Sequence, residues 1–87
     1  MKVFMKPIEM IAWFTLDGCP RPIRFRMLQP DHSSLVVKVD RIVDQKEEKL
    51  AGNRMMVFIC QSIIEGVQRI YELKYEISTC KWFLYKL

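Results

Sequence analysis

Met55-Met56-Val57-Phe58-Ile59-Cys60-Gln61-Ser62 is apolar on both faces when read with a period of two residues: Met56, Phe58 and Cys60 stand opposite Met55, Val57 and Ile59. Side chains alternate across a strand, so a run that is apolar at both parities predicts the most central strand of a sheet, covered on each side. Downstream, Ile63-Ile64-Glu65-Gly66 supplies turn chemistry. The chain then alternates again, with Val67, Tyr71, Leu73, Tyr75 and Ile77 sharing one face and Gln68, Glu72, Lys74 and Glu76 the other. Ser78-Thr79 makes a tight return into Cys80-Lys81-Trp82-Phe83-Leu84-Tyr85-Lys86-Leu87, completing a terminal hairpin.

Upstream, Pro7 to Leu16 reads as a first strand, with Ile8, Met10, Ala12, Phe14 and Leu16 on one face and Glu9, Ile11, Trp13 and Thr15 on the other. Asp17-Gly18 marks a turn. In Cys19-Pro20-Arg21-Pro22 two positions lack a backbone donor, which predicts an edge or a corner. A second strand from about Pro22 turns Ile23, Phe25 and Met27 inward and Arg24 and Arg26 outward. Pro30-Asp31-His32-Ser33 is the next turn. A third strand, Leu35 to Val43, loses its phase after Asp40, where a β-bulge accounts for the extra residue and predicts a bend near Asp40-Arg41. Asp44 and Glu47 stand at capping-box spacing and Gly52 follows as a stop, so 45–51 reads as a short helix, with a charged hairpin loop as the alternative.

Six strands with short connections predict an all-β domain over 1–87, an antiparallel meander rolled into a small barrel or a strongly curved sheet, with at most one short helix near 45–51. Closure hides both sheet edges, whereas an open sheet leaves them free to pair with a second copy. Both alternatives stand at the level of sequence.

The hydrophobic fraction of 51% beside 28% charged residues is globular composition, outside the regime of disordered chains. No run approaches the ~18 apolar residues of a helical span. Met1-Lys2-Val3-Phe4-Met5-Lys6-Pro7 has no apolar core or cleavage site of a signal peptide, which predicts a cytoplasmic protein. Cys19, Cys60 and Cys80 are odd in number and lack C-x-x-C spacing, so neither a disulfide framework nor a zinc site is expected. Cys60 and Cys80 read as small hydrophobes within apolar strands, and Cys19 as a turn residue.

Chemistry-bearing motifs are sparse. His32 is the single histidine, and its neighbours Asp31 and Ser33 point apart in a turn, whereas catalytic triads are assembled from distant segments. A non-catalytic protein with no metal and no cofactor is expected. The net charge of +4 and the cluster Arg21, Arg24 and Arg26, joined by Lys38 and Trp13, allow a single-stranded nucleic-acid-binding barrel that combines a basic groove with stacking. Ten interleaved acidic residues weaken that reading. The expectation preferred here is an interaction module that self-associates, as a homodimer, or binds another cytoplasmic protein. Trp82, Phe83, Tyr85, Tyr71 and Tyr75 exceed what one sheet face hides, and aromatic residues are enriched at interfaces. One aromatic face of the last strand must then be covered by segment 45–51, by Met1 to Lys6 or by another molecule.

Gly18 to Arg26, Tyr71-Glu72-Leu73-Lys74-Tyr75 and Trp82-Phe83-Leu84-Tyr85-Lys86 together resemble short uncharacterised all-β proteins of bacteria. That resemblance implies an all-β fold and brings no activity or site residue with it.

Overall fold

The structure is a computed structural model describing residues 2–87; Met1 lies outside the described residues. Seven strands form it, β1 (Val3–Phe14), β2 (Pro20–Leu28), β3 (Ser34–Lys38), β4 (Arg41–Leu50), β5 (Asn53–Ile64), β6 (Val67–Glu76) and β7 (Lys81–Lys86). Every pairing is antiparallel, in the order β3-β2-β1-β7-β6-β5-β4. Two meanders, β1 to β3 and β4 to β7, are thus joined through β1, and the sheet curls into a half-barrel.

The long strand β1 makes the join. Its first half pairs with β7 through Pro7↔Phe83 and Ile8↔Trp82, and its second half pairs with β2 through Glu9↔Arg26 to Phe14↔Pro20. The register shifts between Ile11 and Ala12, where β2 accommodates Pro20 and Pro22. Proline in a sheet is confined to edges and bulges, so the bulge is placed where the ladder loses its donors. One consequence corrects the sequence reading. Pro20 and Pro22 point into the core, and Ile23, expected inward, is carried to the outer face.

The third strand predicted over Leu35 to Val43 is two strands, and the expected bend at Asp40 is a corner between them. Non-local bonds hold that corner. The Val39 N–H donates to Ile23 O (2.9 Å), the Asp40 N–H donates to Gln61 O (3.2 Å), and the Asp40 carboxylate accepts from the Ile63 N–H (3.0 Å). Beneath them the buried Ser62 hydroxyl donates to Lys38 O at 2.6 Å and lies 2.6 Å from the Tyr71 hydroxyl, which therefore donates to it. The two sheet edges β3 and β4 meet covalently here and diverge beyond it.

Segment 45–51 is not a helix. Asp44 to Leu50 pair residue by residue with Ile59 to Asn53, and Ala51 (φ 50°) and Gly52 (φ 83°) form the two-residue turn. Two successive left-handed residues are the signature of a type I′ hairpin, whose twist matches that of the flanking strands. Glu65 (φ 51°) and Gly66 (φ 78°) repeat the device between β5 and β6. The last turn is longer than Ser78-Thr79: it runs from Ile77 to Cys80, with the Cys80 N–H on Glu76 O at 2.9 Å.

Phe25 and Val37 from β2 and β3 pack against Phe58, Cys60, Tyr71, Leu73, Tyr75, Trp82 and Leu84. As the alternation requires, β5 is buried on both faces. Val57 and Met55, on its outer side, are covered although that side carries no second layer. In register, Lys46 and Lys74 flank Val57, and long lysine stems cover apolar surface while their heads stay polar.

Candidate functional site

The aromatic residues singled out from sequence do not form a free face. Tyr71, Tyr75 and Trp82 belong to the core, with Trp82 only 7% exposed. Phe58, Tyr75 and Trp82 form an aromatic stack with centroid separations of 5.6 and 4.8 Å. The inward parity that makes β6 alternate so regularly directs these rings into the half-barrel. Phe83 and Tyr85 point outward and are half-buried. The Lys74 ammonium lies 3.7 Å from the centre of the Tyr85 ring and 2.9 Å from a Glu48 carboxylate oxygen. An internal cation thereby closes this outer face. The N-terminal segment does not cover it: Val3 to Ile8 extend the sheet beside β7 instead.

The residues of the second expectation come together. On the outer face of β1, β2 and β3 the register forms three rows: Val36, Arg26 and Glu9; Lys38, Arg24 and Ile11; and Arg21 with Trp13. Ile23 joins them through the bulge. All of these side chains are exposed, with Trp13 at 68%, Ile11 at 65% and Val36 at 56%. Two shallow depressions share Ile11 as their common wall. One, of about 400 Å³, is lined by Glu9, Arg24, Arg26 and Val36, and the other, of about 380 Å³, by Trp13, Phe14 and Ile23.

Charge is unevenly satisfied across this face. Glu9 pairs with Arg26, and among the described residues no carboxylate makes an ion pair with Arg21, Arg24 or Lys38. Arg24 and Lys38 nevertheless face one another directly across the β2/β3 ladder. Ile11, Ile23 and Val36 escaped the sequence-based site. The alternation alone signals Ile11 and Val36, because both fall on the polar parity of their strands; the displacement of Ile23 depends on the proline bulge.

The remaining candidates resolve into structural roles. The Asp31 carboxylate accepts from the Ser33 hydroxyl at 2.5 Å and from the Ser33 N–H at 3.0 Å, bonds that hold it below the usual carboxylate range and that belong to the turn. His32 takes the left-handed position of that turn (φ 68°). Cys60 is buried, and burial pushes its thiol up to about 12. Cys80, expected inside a strand, is instead exposed in the last turn (φ 59°), and Cys19 accepts a bond from Gln45 Nε2 at 3.1 Å. Among the described residues no group of three or more His, Cys, Asp or Glu is placed to hold a metal ion, and no helix is long and apolar enough to cross a membrane.

Compared with known proteins, the chain matches no family model, no curated protein and no solved structure.

Proposed function

We propose that this protein is a non-catalytic docking module that binds another protein through the outer face of β1, β2 and β3. The observation that carries this reading is the exposure of Ile11, Trp13, Ile23 and Val36 on one continuous three-stranded surface, bordered by arginine. Contiguous apolar exposure rimmed by polar residues marks interaction sites, and tryptophan and arginine are the residue types that carry most binding energy. The preferred interface shifts from the last strand to this face.

Single-stranded nucleic-acid binding is the second reading, favoured by the shared orientation of Arg21, Arg24, Arg26, Lys38 and Trp13. It ranks lower because the apolar part of the face is mainly aliphatic, with Trp13 and Phe14 as its rings for stacking, and because the Glu9 carboxylate stands beside Arg26.

A photo-crosslinking residue at Val36, compared in cells with the same residue at the exposed Ile70 on β6, tests the proposal. A nuclease-resistant adduct to one defined protein from position 36 alone is the expected result. Equal labelling from both positions, or none from position 36, overturns it. A nuclease-sensitive adduct transfers the assignment to nucleic acid.

A further inference from the structure

Arg24 and Lys38 face one another across the β2/β3 ladder, and among the described residues no carboxylate makes an ion pair with either. Residues directly opposite in an antiparallel ladder have Cβ atoms about 4.5–5.5 Å apart, and like charges there destabilise a sheet. A like-charged pair elsewhere is relieved: Lys49 stands opposite Arg54, and Arg54 has Glu47 as its ion-pair partner. Next to Arg24 in the same row stands Ile11, more than half exposed, with the depression toward Val36 beside it. The row therefore presents two uncompensated cations adjoining an apolar seat.

Resting on the docking reading above, we infer that the partner is an acidic protein segment. Its carboxylates lie across Arg24 and Lys38, and a neighbouring apolar side chain sits against Ile11 and Val36. Carboxylate on arginine forms charge-assisted, often bidentate hydrogen bonds, so this pair recognises acid and rejects base. A second copy docked face to face does not meet the requirement. Two-fold pairing sets the same patch against itself, so a face with Arg21, Arg24, Arg26 and Lys38 and one carboxylate, Glu9, meets the same excess of positive charge. Nucleic acid satisfies the charge and leaves Ile11, Ile23 and Val36 without an equivalent partner, because branched aliphatic side chains offer bases no flat surface to stack on.

The test uses the whole chain and three fluorescein-labelled probes: a twelve-residue peptide alternating acidic with large apolar residues, the same peptide with lysine at each acidic position, and oligo(dT). Anisotropy is measured at physiological salt for the wild type, for Arg24→Glu/Lys38→Glu and for Ile11→Ser/Val36→Ser, each checked by circular dichroism. The expected result is saturable binding of the acidic peptide only. Charge reversal weakens it at least tenfold and confers binding of the lysine peptide, and Ile11→Ser/Val36→Ser weakens it too. If the serine variant loses the peptide while the charge-reversed variant keeps it, the docking face stands and the acidic partner falls. If neither variant changes binding, both fall. Absence of acidic-peptide binding by the wild type, or retention of oligo(dT) alone, overturns the inference.

Discussion

Lys74 on β6 and Arg24 on β2 sit at comparable places on two outer sheet faces, each a cation beside apolar and aromatic neighbours, and they meet opposite fates. Lys74 is 6% exposed, held between Glu48 from β4 and the Tyr85 ring. Arg24 is exposed, with Lys38 across the ladder and, among the described residues, no carboxylate in ion-pair range. Both faces carry cations and aromatic rings. They differ in whether a neighbouring strand delivers the counter-charge: β4 brings Glu48 to Lys74, whereas the only carboxylate on the β1–β3 face, Glu9, is taken by Arg26. The cation with an internal counter-charge is buried, and the one without stays exposed.

The strongest challenge to this contrast is Trp82→Ala. If the β6/β7 aromatics are core, truncation costs about 3–5 kcal/mol in denaturant unfolding. A cost below ~1 kcal/mol returns Trp82 to the surface and revives the last strand as an interface.

Alkaline pH probes the same core by a different route. Burial raises the Cys60 thiol from its ordinary 9.0 to about 12, and burial also raises the Tyr71 phenol above its ordinary 10.0, opposed in part by the bond to Ser62. The native chain keeps these protons after the unfolded chain releases them. The stability they supply is therefore complete below pH 9 and declines as pH climbs, by at most ~1.4 kcal/mol per unit for each group. Thermal melts at pH 8 and 11 should show the loss, and Cys60→Ala should flatten it. An unchanged slope in the variant removes Cys60 from the account.

Breaking the closed face comes next. Glu48→Leu strands the Lys74 ammonium beneath its neighbours and should cost about 1–2 kcal/mol, the penalty being moderated by the partial exposure of Glu48. Glu48→Leu/Lys74→Met should restore most of it. Failure of the double variant to recover means that packing, not charge, seals that face.

Ala51→Asn tests the hairpin that brings β4 and its Glu48 into place. Asparagine tolerates the left-handed backbone found at Ala51 (φ 50°) and, followed by Gly52, favours the type I′ turn, so unfolding should shift by about 0.5–1 kcal/mol toward greater stability. A loss instead contradicts the turn assignment.

On the open face the expected change is smallest. Ile11→Ser/Val36→Ser should alter stability by no more than about 0.5 kcal/mol per site, as solvent-facing positions do. A large loss shows that these side chains hold the sheet together rather than wait for a partner.

Much of this fold was legible in the sequence, and the departures have identifiable causes. The parity of β6 puts Tyr71, Leu73 and Tyr75 on one face, and that face is the core; β5, apolar at both parities, left its inward side open until the fold chose Phe58 and Cys60. Segment 45–51 misleads because its helix signals serve other ends. Asp44 Oδ1 accepts from the Gln45 N–H at 2.9 Å, Glu47 pairs with Arg54 across the hairpin, and Gly52 supplies a turn residue rather than a helix stop. Ladder bonds to β5 outweigh the preference of seven residues for a helix that is marginal in water on its own. As for the face, Arg21, Arg24, Arg26, Lys38 and Trp13 were legible because alternation orients them alike. Their lack of carboxylate partners was not, because it depends on which strands become neighbours.

By itself, then, the sequence determined the alternation of its strands, most of the turns between them and the inward side of the core, since each follows from the two-residue period and from the local chemistry of glycine, proline and asparaginyl-type side chains. The tertiary structure alone decided that β1 joins two meanders, that Asp40, Ser62 and Tyr71 hold the β3–β4 corner, and that one cationic face is closed while the other stays open. Those outcomes rest on contacts between residues remote in sequence, and exposure and charge balance belong to the assembled neighbourhood, not to any segment of the chain.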